Sequence, residues 1–65
     1  MANDTPQGEV IFEFRQIGNS VKVTALHVAS DTEISLVGAP SVGEYGLRLA
    51  ALRKLNYVLA RKKGG

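Results

Sequence analysis

The chain has no cysteine and no tryptophan, and only one histidine and one methionine among its 65 residues. Without thiols there is neither a disulfide framework nor a thiolate metal cluster, two devices by which very small domains compensate for a small core. The lone histidine, His27, leaves nucleophilic catalysis short of the adjacent base and orienting group it needs. Asp31 and Glu33 near His27 make a poor metal site, because three groups on one flexible turn lack a second shell to orient them. The glycines are dispersed, with no GxGxxG and no phosphate loop. No enzyme, cofactor or metal is therefore expected. No run of 18 apolar residues occurs, which argues against a membrane span. The opening MANDTPQGE has no basic n-region and no apolar h-region, so the expected location is the cytoplasm.

Acidic residues are missing after Glu44. Residues 1–44 carry six acidic and two basic groups, a net −4, whereas the remainder carries Arg48, Arg53, Lys54, Arg61, Lys62 and Lys63, a net +6. The C-terminal third is thus a cationic element.

The ordered part is expected over residues 9–63, because residues 1–8 offer little to bury and read as a disordered arm. From Val10 the chain alternates, with Val10, Phe12 and Phe14 on one face and Ile11, Glu13 and Arg15 on the other. That period of two is the mark of a half-buried strand. Val21, Val23 and Ala25 repeat it. The intervening Gly18-Asn19 suits a two-residue type II′ turn, which sets Phe14 opposite Val23, Phe12 opposite Ala25 and Arg15 opposite Lys22. A one-residue slip would separate the apolar faces, so turn chemistry and pattern agree on one register. A second turn over residues 27–32, with Asp31 suited to a left-handed conformation, leads to a third strand, Glu33 to Val37, with Ile34 and Leu36 inward. Ser41-Val42-Gly43-Glu44 matches a capping box, and a helix is expected from about Val42 to Lys62. The fold class is therefore α+β, a three-stranded antiparallel meander followed by one helix (βββα).

The strings EVIFEFRQIGNSVKVTALH, EISLVG and ALRKLNYVLARKK resemble a small alphaproteobacterial family classed as a domain of unknown function, over residues 9–63. The resemblance implies a cytoplasmic mini-protein and carries over no catalytic or binding residue. Members tend to show an Asp-Pro start and a glycine in the second turn, where this chain has His27-Val28 and Asp31; that departure weighs against a function for His27, read here as a surface residue. RQIGNSVKVTAL is also similar to the swapped-hairpin transcription regulators, but the Ile-Pro and helix that should follow are missing.

The helix carries two apolar stripes. Tyr45, Leu49, Leu52, Leu55 and Leu59 form the one expected to cover the sheet, and Leu47, Ala51 and Val58 form a second. A three-stranded sheet covers only one stripe, and a chain this short buries only about 60% of the surface its unfolded form exposes. The leading expectation is therefore a non-catalytic protein-interaction module that forms a homodimer or other homo-oligomer. Its surface would be Leu47, Ala51 and Val58, aided by Ile11, Leu26 and Val37 on the outer sheet face. The alternative is a nucleic-acid binder using the open sheet or the basic helix, with Arg53, Lys54, Arg61, Lys62 and Lys63 on phosphates and Tyr57 on a base. Dipole compensation and solvation explain the same cations. Arg48 falls between Leu52 and Leu55, inside the stripe meant for the sheet.

Overall fold

The computed structural model describes residues 8–64. Most of the arm expected at residues 1–8 lies outside the described residues, as does the side chain of Lys63. Strands β1 (Val10–Ile17), β2 (Ser20–His27) and β3 (Thr32–Gly38) form one antiparallel sheet in the order β1-β2-β3, followed by a short 3₁₀ turn (Pro40–Val42) and helix α1 (Gly43–Gly64). The βββα expectation is met.

The first hairpin has the expected register, with Phe14 paired to Val23, Phe12 to Ala25 and Arg15 to Lys22. Gly18 has φ 59° and Asn19 does not take a positive φ, the pattern of a type II′ turn. The second hairpin closes on His27 and Thr32, and Asp31 takes φ 55° at the end of its four-residue loop. The inward set of β2 runs one step further than expected: after Val23 and Ala25 comes His27, only 8% exposed. His27 is thus the last inward residue of a strand rather than a surface residue of a turn.

The helix begins differently from the expected capping box. Pro40 opens a 3₁₀ turn in which Val42 N–H donates to Ala39 C=O at 3.1 Å. Ser41 lies inside that turn. Gly43, at φ 88° and ψ 157°, makes the corner from which the α-helix departs, a conformation open to glycine and strained for other residues.

The face that α1 buries is the larger correction. Leu47, Ala51 and Leu55 are buried against Val23, Ala25 and Ile34, with Val58 and Leu59 packed on this core. Leu47, 4% exposed, was expected on the free stripe, whereas Tyr45 at 74% and Leu49 at 37% were expected to cover the sheet. The cause is close approach. Gly38 presents bare backbone to Leu47: a Cβ there would stand 2.5 Å from Leu47 Cδ2. Small Ala25 and Ala51, both fully buried, allow the helix to settle low over β2 and β3, the strands it contacts most. Position 47, with 51, 55 and 58 at helical spacing, then becomes the inward stripe.

Candidate functional site

The described structure offers two places where side chains of interest gather. The first is polar and lies at the loop end of β2 and β3. Lys62 Nζ donates to Thr32 Oγ1 at 3.0 Å, Ser30 Oγ donates to the same oxygen at 2.8 Å, and His27 Nδ1 lies 2.6 Å from Ser30 Oγ. His27, Ser30 and Thr32 thus form one hydrogen-bonded chain that ends on the Lys62 ammonium, with the donor at the His27–Ser30 contact set by the imidazole tautomer. The cluster ties the C-terminal turn of α1 to the second hairpin. Among the described residues, no group of three or more His, Cys, Asp or Glu could hold a metal ion, and no helix is long and apolar enough to cross a membrane.

The second place is the β1 side of the fold. Its cause is the lateral position of α1, which the cations on either flank make visible. On the β3 side, Lys54 Nζ donates to Ser35 C=O at 2.7 Å. The pairing of β3 explains that bond: Thr32 closes the hairpin, so the backbone groups of Glu33, Ser35 and Val37 turn away from β2. Lys54 thus covers one exposed sheet edge, a common protection against edge pairing.

On the β1 side, Arg48 lies over the rings of Phe12 and Phe14, its Cζ 5.2 and 5.7 Å from their centroids. It also makes a loose ion pair to Glu44, at 3.8 Å and largely exposed. The two rings stack on each other with centroids 6.5 Å apart and are half-buried. Leu52 and Tyr45, four and three positions from Arg48, share its flank at about 100° per residue; Leu49 lies just beyond. Tyr45, Leu49 and Leu52, expected over the sheet centre, therefore stand beside it, next to the half-buried inner face of β1.

Among the described residues, no strand pairs with the outer edge of β1. Val28 N–H donates to Glu9 C=O at 3.1 Å, and this pairing alternates along the antiparallel ladder. Ile11, Glu13, Arg15 and Ile17 therefore direct their backbone groups to β2, while Val10, Phe12, Phe14 and Gln16 turn theirs outward. Among the described residues, no side chain covers this edge as Lys54 covers the other. A shallow groove of about 350 Å³ flanks its hairpin end, between Phe14, Arg15, Gln16 and Val21 on the sheet and Glu44 and Leu47 on the helix.

Of the residues expected to self-associate, Ile11, Leu26 and Val37 do lie on the bare outer sheet face, Ile11 and Val37 strongly exposed. Leu47, Ala51 and Val58 belong to the core on the opposite face, so the structure does not bring the two sets together. Of the cations expected on phosphate, Lys54 and Lys62 are bound to the sheet, and Arg61 donates to Tyr57 Oη at 3.1 Å with its Cζ 5.6 Å from that ring. Arg53 is exposed. Phe12 and Phe14 pack against the core from the inward face, as expected, but only half-buried, whereas sequence reasoning missed Tyr45 and Leu49 as surface residues. The available signal was Arg48, a cation inside an apolar stripe, which marks the border of the covered face.

These features define a two-layer α+β domain in which, among the described residues, one sheet face and one sheet edge are open. The chain belongs to the family described as domain of unknown function DUF6898, whose model matches residues 7–62. No curated protein and no solved structure matches it significantly.

Proposed function

We propose that this protein is a small non-catalytic interaction module that acts as a homo-oligomer. The observation that carries the reading is the exposed apolar flank along β1, where Phe12 and Phe14 are only half-buried beneath Arg48 while Tyr45 and Leu49 stand exposed on the neighbouring helix. A domain of this size has few apolar side chains to spare, since below about 70–80 residues one core supplies only about 3–5 kcal/mol. Leaving aromatic and leucine side chains beside an open strand edge is costly for a solitary monomer. Covering them by a second copy adds burial where the single chain has least. The non-catalytic part of the reading is supported by the polar cluster, in which His27, Ser30, Thr32 and Lys62 are spent on holding the hairpin to the helix.

A nucleic-acid binder has less support, because Lys54, Arg61 and Lys62 are engaged within the fold. Sedimentation equilibrium over a concentration series tests the reading. The expected mass is twice 7.0 kDa or a higher multiple; a mass of 7.0 kDa at millimolar concentration refutes it. A gel shift that weakens steeply with salt would favour the nucleic-acid alternative.

A further inference from the structure

The open β1 edge has a sequence that is complementary to itself in one register. We propose that two copies pair β1 to β1 antiparallel about a two-fold axis at Phe14, forming a continuous six-stranded sheet. This inference rests on the homo-oligomer reading and names its interface.

The backbone limits the choice. Only Val10, Phe12, Phe14 and Gln16 turn their N–H and C=O groups outward, so a second β1 must pair even positions with even positions. Four registers bring the strand centres together, and in one of them, with the axis at Arg15, that guanidinium faces its own copy, which is destabilising. With the axis at Glu13, that carboxylate faces its own copy, which is destabilising. With the axis at Phe12, Ile11 faces Glu13 on the outer face. With the axis at Phe14, Glu13 faces Arg15 of the second copy and Ile11 faces its Ile17, each pair occurring twice. On the inner face Phe14 meets Phe14, and Phe12 meets Gln16. Phe14 exchanges both backbone bonds with its copy, and each Phe12 exchanges both with a Gln16, so every outward group from Phe12 to Gln16 is satisfied.

Two features of the single chain favour this register. Arg15 is paired across the first hairpin with Lys22, a like charge, and among the described residues no acidic side chain forms an ion pair with it. Glu13 sits opposite neutral Thr24 and, among the same residues, forms no ion pair. Pairing at Phe14 relieves both at once. Ile11 and Ile17, about half exposed in the single chain, cover one another. The two helices stay on the same face, each above its own β2 and β3, with their Tyr45 and Leu49 flanks lining the two sides of a shared phenylalanine floor.

Charge exchange tests the register by sedimentation equilibrium, using the native chain, Glu13→Arg, Arg15→Glu and an equimolar mixture of the two variants. Either substitution alone converts two attractive cross-strand pairs into two repulsive ones and is expected to weaken the dimer about tenfold or more. In the mixture, the arginine introduced into one chain meets the glutamate introduced into the other. The native Arg15 of the first chain likewise meets the native Glu13 of the second, so the dimer is expected to return as a heterodimer. Recovery in the mixture also shows that each variant folds. Single variants as dimeric as the native chain, or a mixture that does not recover, would overturn the interface while leaving the homo-oligomer reading standing. A native chain that stays monomeric at millimolar concentration would overturn both.

Discussion

Leu47→Ala and Leu49→Ala remove the same atoms two residues apart on α1, yet the structure assigns them opposite outcomes. Leu47 is 4% exposed and part of the cluster with Val23, Ala25, Ile34, Ala51 and Leu55, whereas Leu49 is 37% exposed. Truncating a buried leucine loses its transfer free energy and leaves a cavity, together about 2–5 kcal/mol. A domain of this size has only about 3–5 kcal/mol in total. Leu47→Ala should therefore bring the chain to the edge of unfolding at 25 °C. Away from the core, the cost at Leu49 should stay below about 1 kcal/mol. The assay is urea unfolding followed by far-ultraviolet circular dichroism, at one fixed concentration because association adds to apparent stability. With a slope of about 1–2 kcal/mol/M for so small a chain, the midpoint should fall by at least about 1 M for Leu47→Ala and by well under that for Leu49→Ala. The reverse order would show that the helix presents its Tyr45, Leu49 and Leu52 stripe to the sheet, and the account of the β1 flank would fail with it.

Gly38→Ala should cost about 1–3 kcal/mol, because its Cβ would stand 2.5 Å from Leu47 Cδ2 in a packed core. Most of that cost should vanish in the Leu47→Ala background, which a double-mutant cycle by urea melts measures. Arg48→Ala uncovers the stacked Phe12 and Phe14 rings and should lower stability by about 1 kcal/mol, the range of exposed cation–π contacts. Arg48→Lys keeps the charge without the planar stack and should recover only part of it, again read from the urea midpoint.

The sheet was legible because independent signals agreed on it. The alternation of Val10, Phe12 and Phe14, the repeat at Val21, Val23 and Ala25, and the Gly18-Asn19 turn all specify one register, and that register is the one observed. Asp31 at φ 55° likewise follows from turn chemistry. The face of the helix was not legible, because its two stripes meet at Leu55 and Leu59 and both are apolar enough to be buried. Tertiary fit decided between them: bare Gly38 and small Ala25 and Ala51 admit the helix on one line and not on the other. Ser41 and Glu44 have the spacing of a capping box, but Pro40 starts a 3₁₀ turn and Gly43 supplies the corner, so the local pattern yielded to its neighbours. His27 was read by its polarity when the period of two already placed it inward. For the candidate site, Ile11, Leu26 and Val37 were readable as outer-face residues from the same alternation. The β1 edge was not, since which edge a helix covers depends on where it lies across the sheet.

Amide hydrogen exchange, measured residue by residue by NMR at micromolar and millimolar concentrations, tests pairing at the β1 edge most directly. Ile11, Glu13 and Arg15, whose N–H groups face β2, should be protected at both concentrations. Phe12, Phe14 and Gln16 should exchange fast when dilute and become protected when concentrated. Outward amides that exchange equally fast at both concentrations, in a chain whose β2-facing amides remain protected, would contradict it.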